Sequence, residues 1–206
     1  EEGDAKFGTQ SIVEKMKHLD LRARWCMVGE PTSVNTLGDQ LKNGRRGSCT
    51  LSVKISIPQK HVAYAPMNEN PGHAMAQLIS NLQDKQWPKH PSFPQLSMHV
   101  VQLECQSIAN NVTPESSYAI LNFRYPSHMT AGDIIQVIET QLVNLPHHIH
   151  LMSNNIPFYF EPSKWHQELA KIIALKTETT PQFTCDGGTS DGRYLQFVSD
   201  DLIEFG

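Results

Sequence analysis

Between residues 48 and 152 the hydrophobic period switches from two to about 3.6 and back, twice, and that order leaves few architectures open. Residues 48–57 alternate apolar and polar (Leu51, Val53, Ile55, Ile57), as a strand with one face in water does, and Pro58 stops them. Asn70 and Pro71 then open a helix that carries Met75, Leu78, Ile79 and Leu82, and Pro88, Pro91 and Pro94 follow it. Residues 96–105 and 117–125 read as an antiparallel pair of strands, joined through Asn110, Asn111 and Pro114. Thr130, with Asp133 three residues on, caps a second helix whose inner face is Ile134, Ile135, Ile138 and Leu142. A last strand occupies 147–152. The order β-α-β-β-α-β predicts a ferredoxin-like sandwich, two helices on an antiparallel sheet.

The flanks differ from this middle and match each other. Ile12, Val13, Met16 and Leu19 make a helical face over residues 11–20, and Trp25, Cys26, Met27 and Val28 read as a buried strand. Beyond Pro162 come an amphipathic helix over 165–176, a glycine turn at Gly187 and Gly188, and an apolar strand at 202–205. The expected fold class is therefore α/β, with a mixed sheet flanked by helices. A discontinuous catalytic domain, 1–46 and 160–206, would be interrupted by an inserted α+β domain, 47–159. A chain of 206 residues that is 39% hydrophobic can bury such a core.

Charge and composition narrow the partners. Seventeen Lys and Arg against twenty-one Asp and Glu give a net charge of -4, without the basic track that a nucleic-acid partner requires. No apolar stretch is long enough for a membrane span and no leader pattern precedes the first helix, so a cytoplasmic location is the expectation. Cys26, Cys49, Cys105 and Cys185 are far apart with no C-x-x-C pair, and are expected as reduced, mostly buried thiols.

Three stretches carry candidate chemistry. Glu1 and Glu2 are adjacent carboxylates ahead of Gly3; such a pair repels itself unless it shares a cation or a proton. Glu30 ends the first strand, where open α/β sheets place ligand groups. Carboxylates around divalent metals, with one left over as general base, are a known route to amide hydrolysis. The second stretch, Lys42-Asn43-Gly44-Arg45-Arg46-Gly47-Ser48, reads either as a basic surface turn or as a clamp for carboxylates. The third, residues 187–193, is neither a P-loop nor a dinucleotide fingerprint, and is either a plain loop or a turn that aims backbone amides at a ligand. Of ten histidines, His148 and His150 share a strand face that His147 does not, so they read as a polar sheet face, and His61 reads locally as a strand-end residue.

Taken in order, Glu1-Glu2-Gly3-Asp4, Val28-Gly29-Glu30-Pro31-Thr32, the 42–48 stretch, His61-Val62-Ala63-Tyr64, Asn111-Val112, Asn122-Phe123-Arg124, the 187–193 stretch and Leu202-Ile203-Glu204-Phe205-Gly206 resemble the dinuclear-zinc aminoacylase and carboxypeptidase family over nearly the whole chain. The resemblance implies a zinc-hydrolase catalytic domain whose inserted domain serves as lid and homodimer interface. It implies hydrolysis of the amide bond of an N-succinylated diamino acid, a step toward lysine. Glu1 would be the general base; Glu2 and Glu30 would each bind one of two Zn2+ ions, with Co2+ able to replace them. His61 would stabilise the oxyanion, and Lys42, Arg45, Ser48, Tyr64, Asn111, Arg124, Gly188 and Thr189 would hold a small substrate bearing several carboxylates.

The family's Gln-Gly-His, Tyr-Pro-His and Asn-Val-Ile-Pro stand here as Gln59-Lys60-His61, Tyr64-Ala65-Pro66 and Asn111-Val112-Thr113-Pro114. Its His-x-Asp motif and its last zinc histidine have no counterpart among the ten histidines. The expectation is an internal fragment with an incomplete metal site, inactive by itself. The alternatives are a non-catalytic dimerisation or carboxylate-binding module and an acetylornithine deacetylase-like amidohydrolase.

Overall fold

The computed structural model describes residues 8–206. In chain order it forms α1 (Gly8–His18), β1 (Cys26–Gly29), β2 (Gln40–Lys42), β3 (Gly44–Arg45), β4 (Gly47–Ser56), a 3-10 turn (Met67–Glu69), α2 (Pro71–Asp84), β5 (Ser97–Glu104) and β6 (Ser116–Tyr125). Then come α3 (Ala131–Leu142), β7 (His147–Asn155), β8 (Phe158–Tyr159), α4 (Lys164–Thr177), β9 (Gln182–Thr184), α5 (Gly192–Leu195) and β10 (Leu202–Phe205). The chain divides into two compact units. One takes in the chain up to Gly47 together with Lys89–Pro94 and Asn155–Gly206, the other Ser48–Pro88 and Gln95–Asn154.

The unit running from Ser48 has the order read from sequence, β-α-β-β-α-β, in a sheet of order β5-β6-β4-β7. Period-two patterning sets it: β6 along its length, and β4 from Cys49 on, alternate between buried and more exposed positions. Their inner residues, Leu51, Val53, Ile55, Leu121 and Phe123, meet Met75, Leu78 and Leu82 of α2 and Ile134, Ile138 and Leu142 of α3 in one core cluster. Burying each such side chain contributes roughly 1.5–3 kcal/mol. The Asn70 side chain accepts the N–H groups of Gly72 and His73, and Pro71 fills the first turn, where its missing N–H costs nothing. Thr130 and Asp133 cap α3 reciprocally. In β7, His148 and His150 are exposed while His147 and Ile149 are half-buried, the expected facing. The edge strand β5 is exposed from His99 to Glu104.

The other unit holds a mixed sheet of order β1-β10-β2-β9. β10 runs parallel to β1, with Val28 opposite Glu204, and antiparallel to β2, where Glu204 is opposite Lys42. β2 runs parallel to β9, Leu41 opposite Phe183. Helix α4 covers the sheet through Leu169, Ala170 and Ile173, which meet Leu41 and Ile203. Its N-terminus is tied down by His166, a fully buried residue. The ring takes the Ser163 N–H on Nδ1 at 3.0 Å and donates from Nε2 to the Leu202 carbonyl at 2.9 Å. β3 and β8 form a separate two-stranded ladder.

Two expectations are corrected and one open reading is narrowed. The strand at β1 is not buried: Met27 and Trp25 are about half exposed, since among the described residues β1 has β10 as its one strand neighbour and α1 packs chiefly against α5. The 42–48 stretch is not a surface turn, since Lys42, Asn43, Arg45 and Ser48 are all buried within and beside β2 to β4. The thiols are all free, as expected, but only Cys49 and Cys185 are buried; Cys26 is half-buried and Cys105 exposed. Among the described residues no helix is long and apolar enough to cross a membrane.

Candidate functional site

The described site residues are divided between the two units, most of them in two clusters. In the unit of the mixed sheet, β2 and β3 deliver Lys42 and Arg45 beneath the glycine turn that follows β9. The Lys42 ammonium donates to Gln40 Oε1 at 3.0 Å, Thr184 Oγ1 at 3.1 Å and Asp186 Oδ1 at 2.5 Å. Arg45 Nε donates to Glu204 Oε2 at 2.5 Å, both side chains being buried. Glu204 Oε1 accepts from the Ser190 hydroxyl, and Ser190 Oγ in turn accepts the Gly192 N–H at 3.2 Å. Burial pushes the Glu204 carboxyl above its ordinary range against the opposing pull of Arg45 and Ser190, and Glu30 adds to the rise.

The turn fits this arrangement only with glycine. Gly187 has φ +87°, and a Cβ there would stand 2.5 Å from Arg45 Nη1. Gly188 is exposed and Thr189 half-buried, the latter accepting from Arg193 Nη1 at 3.1 Å. The 187–193 stretch is therefore more than a plain loop: its last part winds into α5. Glu30 follows β1, half-buried. The chain after it is pinned to the end of β10, with the N–H groups of Thr32 and Ser33 both donating to the Gly206 carbonyl at 3.0 Å.

In the other unit, an isolated bridge between His61 and Val112 brings His61, Tyr64 and Asn111 together. The Ala63 N–H donates to His61 Nδ1 at 3.2 Å. Asn111 Nδ2 lies 3.4 Å from His61 Nε2, and the Tyr64 ring centroid is 5.5 Å from the imidazole. All three are exposed. Lys60, the residue that departs from the family pattern, gives its ammonium to Glu69, and its backbone is held by Thr113. Ser48 on β4 is buried, and Arg124 on the adjacent β6 is half-buried.

Glu1 and Glu2 lie outside the described residues. Among the described residues no group of three or more His, Cys, Asp or Glu side chains could hold a metal ion. The zinc site that the resemblance implies therefore cannot be assembled on these residues, of which Glu30 alone was expected as a ligand. Sequence reasoning missed Glu204, Asp186 and His166. An acid inside the apolar run Leu202-Ile203-Glu204-Phe205 was the available signal, because a carboxylate in a buried strand needs a partner.

Residues 43–150 match the peptidase dimerisation domain of the M20 family, and the chain belongs to that family. Its relatives are more particular. A succinyl-diaminopimelate desuccinylase from Blochmanniella floridana is 36% identical over 213 residues, covering 100% of this chain and 56% of that protein. One from Ectopseudomonas mendocina is 35% identical over 211 residues, covering 100% and 55%. The chain thus spans a little over half the length of the curated relatives it matches. Among solved structures, aminopeptidase PepT from Bacillus cereus matches with a TM-score of 0.68 at 14% identity, over 97% of this chain and 53% of that one. The M20 family metallo-carboxypeptidase Sso-CP2 from Sulfolobus solfataricus gives 0.67 at 15%, over 96% and 67%. At those identities the likeness is one of fold.

Proposed function

We infer that the chain is part of a zinc-dependent amide hydrolase that converts N-succinyl-L,L-diaminopimelate to succinate and L,L-diaminopimelate. The observation that carries the reading is 33–36% identity, sustained along the whole chain, to relatives bearing the desuccinylase name. The geometry agrees with it. His61 is exposed, with Nδ1 taken by the Ala63 N–H and Nε2 facing Asn111, so the ring edge at Nε2 is where an oxyanion would be met. The unit from Ser48 to Asn154 serves as lid and homodimer interface; its long, exposed edge strand β5 suits pairing with a second copy. The other unit belongs to the catalytic domain, where Glu30 would bind one of two zinc ions, with Co2+ an acceptable substitute. The metals would polarise the amide carbonyl and supply the attacking water, while Glu1 would act as base and Glu2 as the second ligand. Four free cysteines and no disulfide suit a reducing, cytoplasmic setting.

The test is succinate release from N-succinyl-L,L-diaminopimelate by the metal-loaded, full-length protein, set against acetate release from N-acetylornithine. The succinylated substrate is expected to be hydrolysed faster by at least an order of magnitude. Faster deacetylation, or dimerisation without hydrolysis of either compound, overturns the reading. His61→Ala is expected to lower kcat by about 10²–10³-fold, as loss of one oxyanion donor does.

A further inference from the structure

The Lys42 ammonium has three N–H donors and three acceptors placed around it, and Lys42 is buried. A lysine in that state is not a free grip for a substrate carboxylate; taking one would break an internal bond at a buried charge. Its partner Asp186 is in a different position. The Asp186 side chain is 48% exposed, one oxygen is engaged by Lys42, and a carboxylate carries about four acceptor sites. Burial raises its pKa, but the hydrogen bond and charge of Lys42, with hydrogen bonds from Thr184 and its own backbone N–H, outweigh that and keep it below the ordinary range.

Asp186 also stands at the right place in the chain. It directly precedes the Gly187–Thr189 turn, and a Cβ at Gly188 would meet nothing within 4 Å, so the turn is open on that side. The other acid of the cluster, Glu204, is fully buried and spent on Arg45 and Ser190. What the Lys42–Asp186 pair presents beside the turn is therefore an anion, held in place by a cation behind it. Its chemistry calls for a ligand that is cationic and carries N–H donors.

We propose that Asp186 is a specificity-determining residue that accepts a hydrogen bond from the free ammonium group of an amino-acid substrate, with Lys42 orienting its carboxylate rather than touching the substrate. The inference rests on the desuccinylase reading. Diaminopimelate has two amino groups, and succinylation of one leaves the other as an ammonium. Among the charged groups of such a substrate the carboxylates are met by donors, and the ammonium alone needs an anionic acceptor.

The experiment compares N-succinyl-L,L-diaminopimelate with N-succinyl-L-2-aminopimelate, which lacks the second amino group, as substrates of the full-length, metal-loaded protein. The wild type is expected to favour the ammonium-bearing substrate by about tenfold or more in kcat/KM, chiefly through KM, as a half-exposed charged hydrogen bond allows. In Asp186→Asn that ratio is expected to fall by at least fivefold, and in Asp186→Glu to keep its direction. Because the ratio is internal to each protein, a variant that folds in lower yield still reports it. If Asp186→Asn gives no folded protein, the wild-type and Asp186→Glu ratios decide. Equal use of both substrates by the wild type, or an Asp186→Asn variant slowed on both by one factor, overturns the proposal. A wild type that hydrolyses neither compound overturns the desuccinylase reading and takes this inference with it, a result distinct from equal rates.

Discussion

Glu204 sits in the middle of a four-residue strand with no exposed surface, and its charge is tolerable only because Arg45 and Ser190 are built around it. Truncating it to alanine strands the Arg45 guanidinium in a buried site. Glu204→Ala is therefore expected to cost about 3–5 kcal/mol, the usual penalty for breaking one side of a buried ion pair. Glu204→Gln, which keeps the volume and one acceptor, should cost clearly less; denaturant unfolding of the two variants measures both. Equal losses would mean that packing, not charge, holds the strand. At this scale the sequence was legible only in part. Lys42, Arg45 and the glycine turn could be picked out as a cluster, but their partners could not, since an internal acid contributes nothing to a hydrophobic period.

Individual elements report through their ends and their faces. His147, at the start of β7, donates from Nδ1 to the Leu145 carbonyl at 2.7 Å and from Nε2 to Glu139 of α3 at 2.7 Å, an arrangement that needs the imidazolium. Burial pulls its pKa down, yet Leu145 and Glu139 more than offset this and hold it above 6.5. With the folded value raised, the stabilisation is complete below the unfolded pKa and is lost as pH rises through the folded one. Glu139→Gln is expected to flatten that alkaline fall, seen by unfolding the two proteins on either side of the window. Asp133, whose carboxyl is held low by the Thr130 hydroxyl and N–H, acts with the opposite sign: its contribution is present above the unfolded value and fades as pH falls. Elements with a full period, β4, α2, β6 and α3, could be placed from sequence alone. The ladders at β2, β3, β8 and β9 could not, because two or three residues do not make a period.

For the whole molecule, the thiols give a simple map of which surface is inside. Burial pushes Cys49 and Cys185 up to about 12, whereas Cys105 is exposed. A small alkylating reagent under native conditions is expected to label Cys105 first, with Cys49 and Cys185 reacting only after denaturation; mass spectrometry resolves the order. Early labelling of Cys185 would mean that the region around Asn43 and Phe158 opens readily. The fold class was accessible from the sequence because the alternation of periods spans many residues.

The pairing of β1 with β10 joins residues 26–29 to residues 202–205, almost the full length of the chain apart. A ribosome must therefore release Phe205 before β10 can pair with β1, and until then the edge of β1 that takes β10 stays open. The sandwich from Ser48 to Asn154 has no such delay, since its strands and helices lie within about half the chain. In the life of a nascent polypeptide, the vulnerable interval is the one in which the segment from Ser48 to Asn154 is already built and β1 and β10 have yet to find each other.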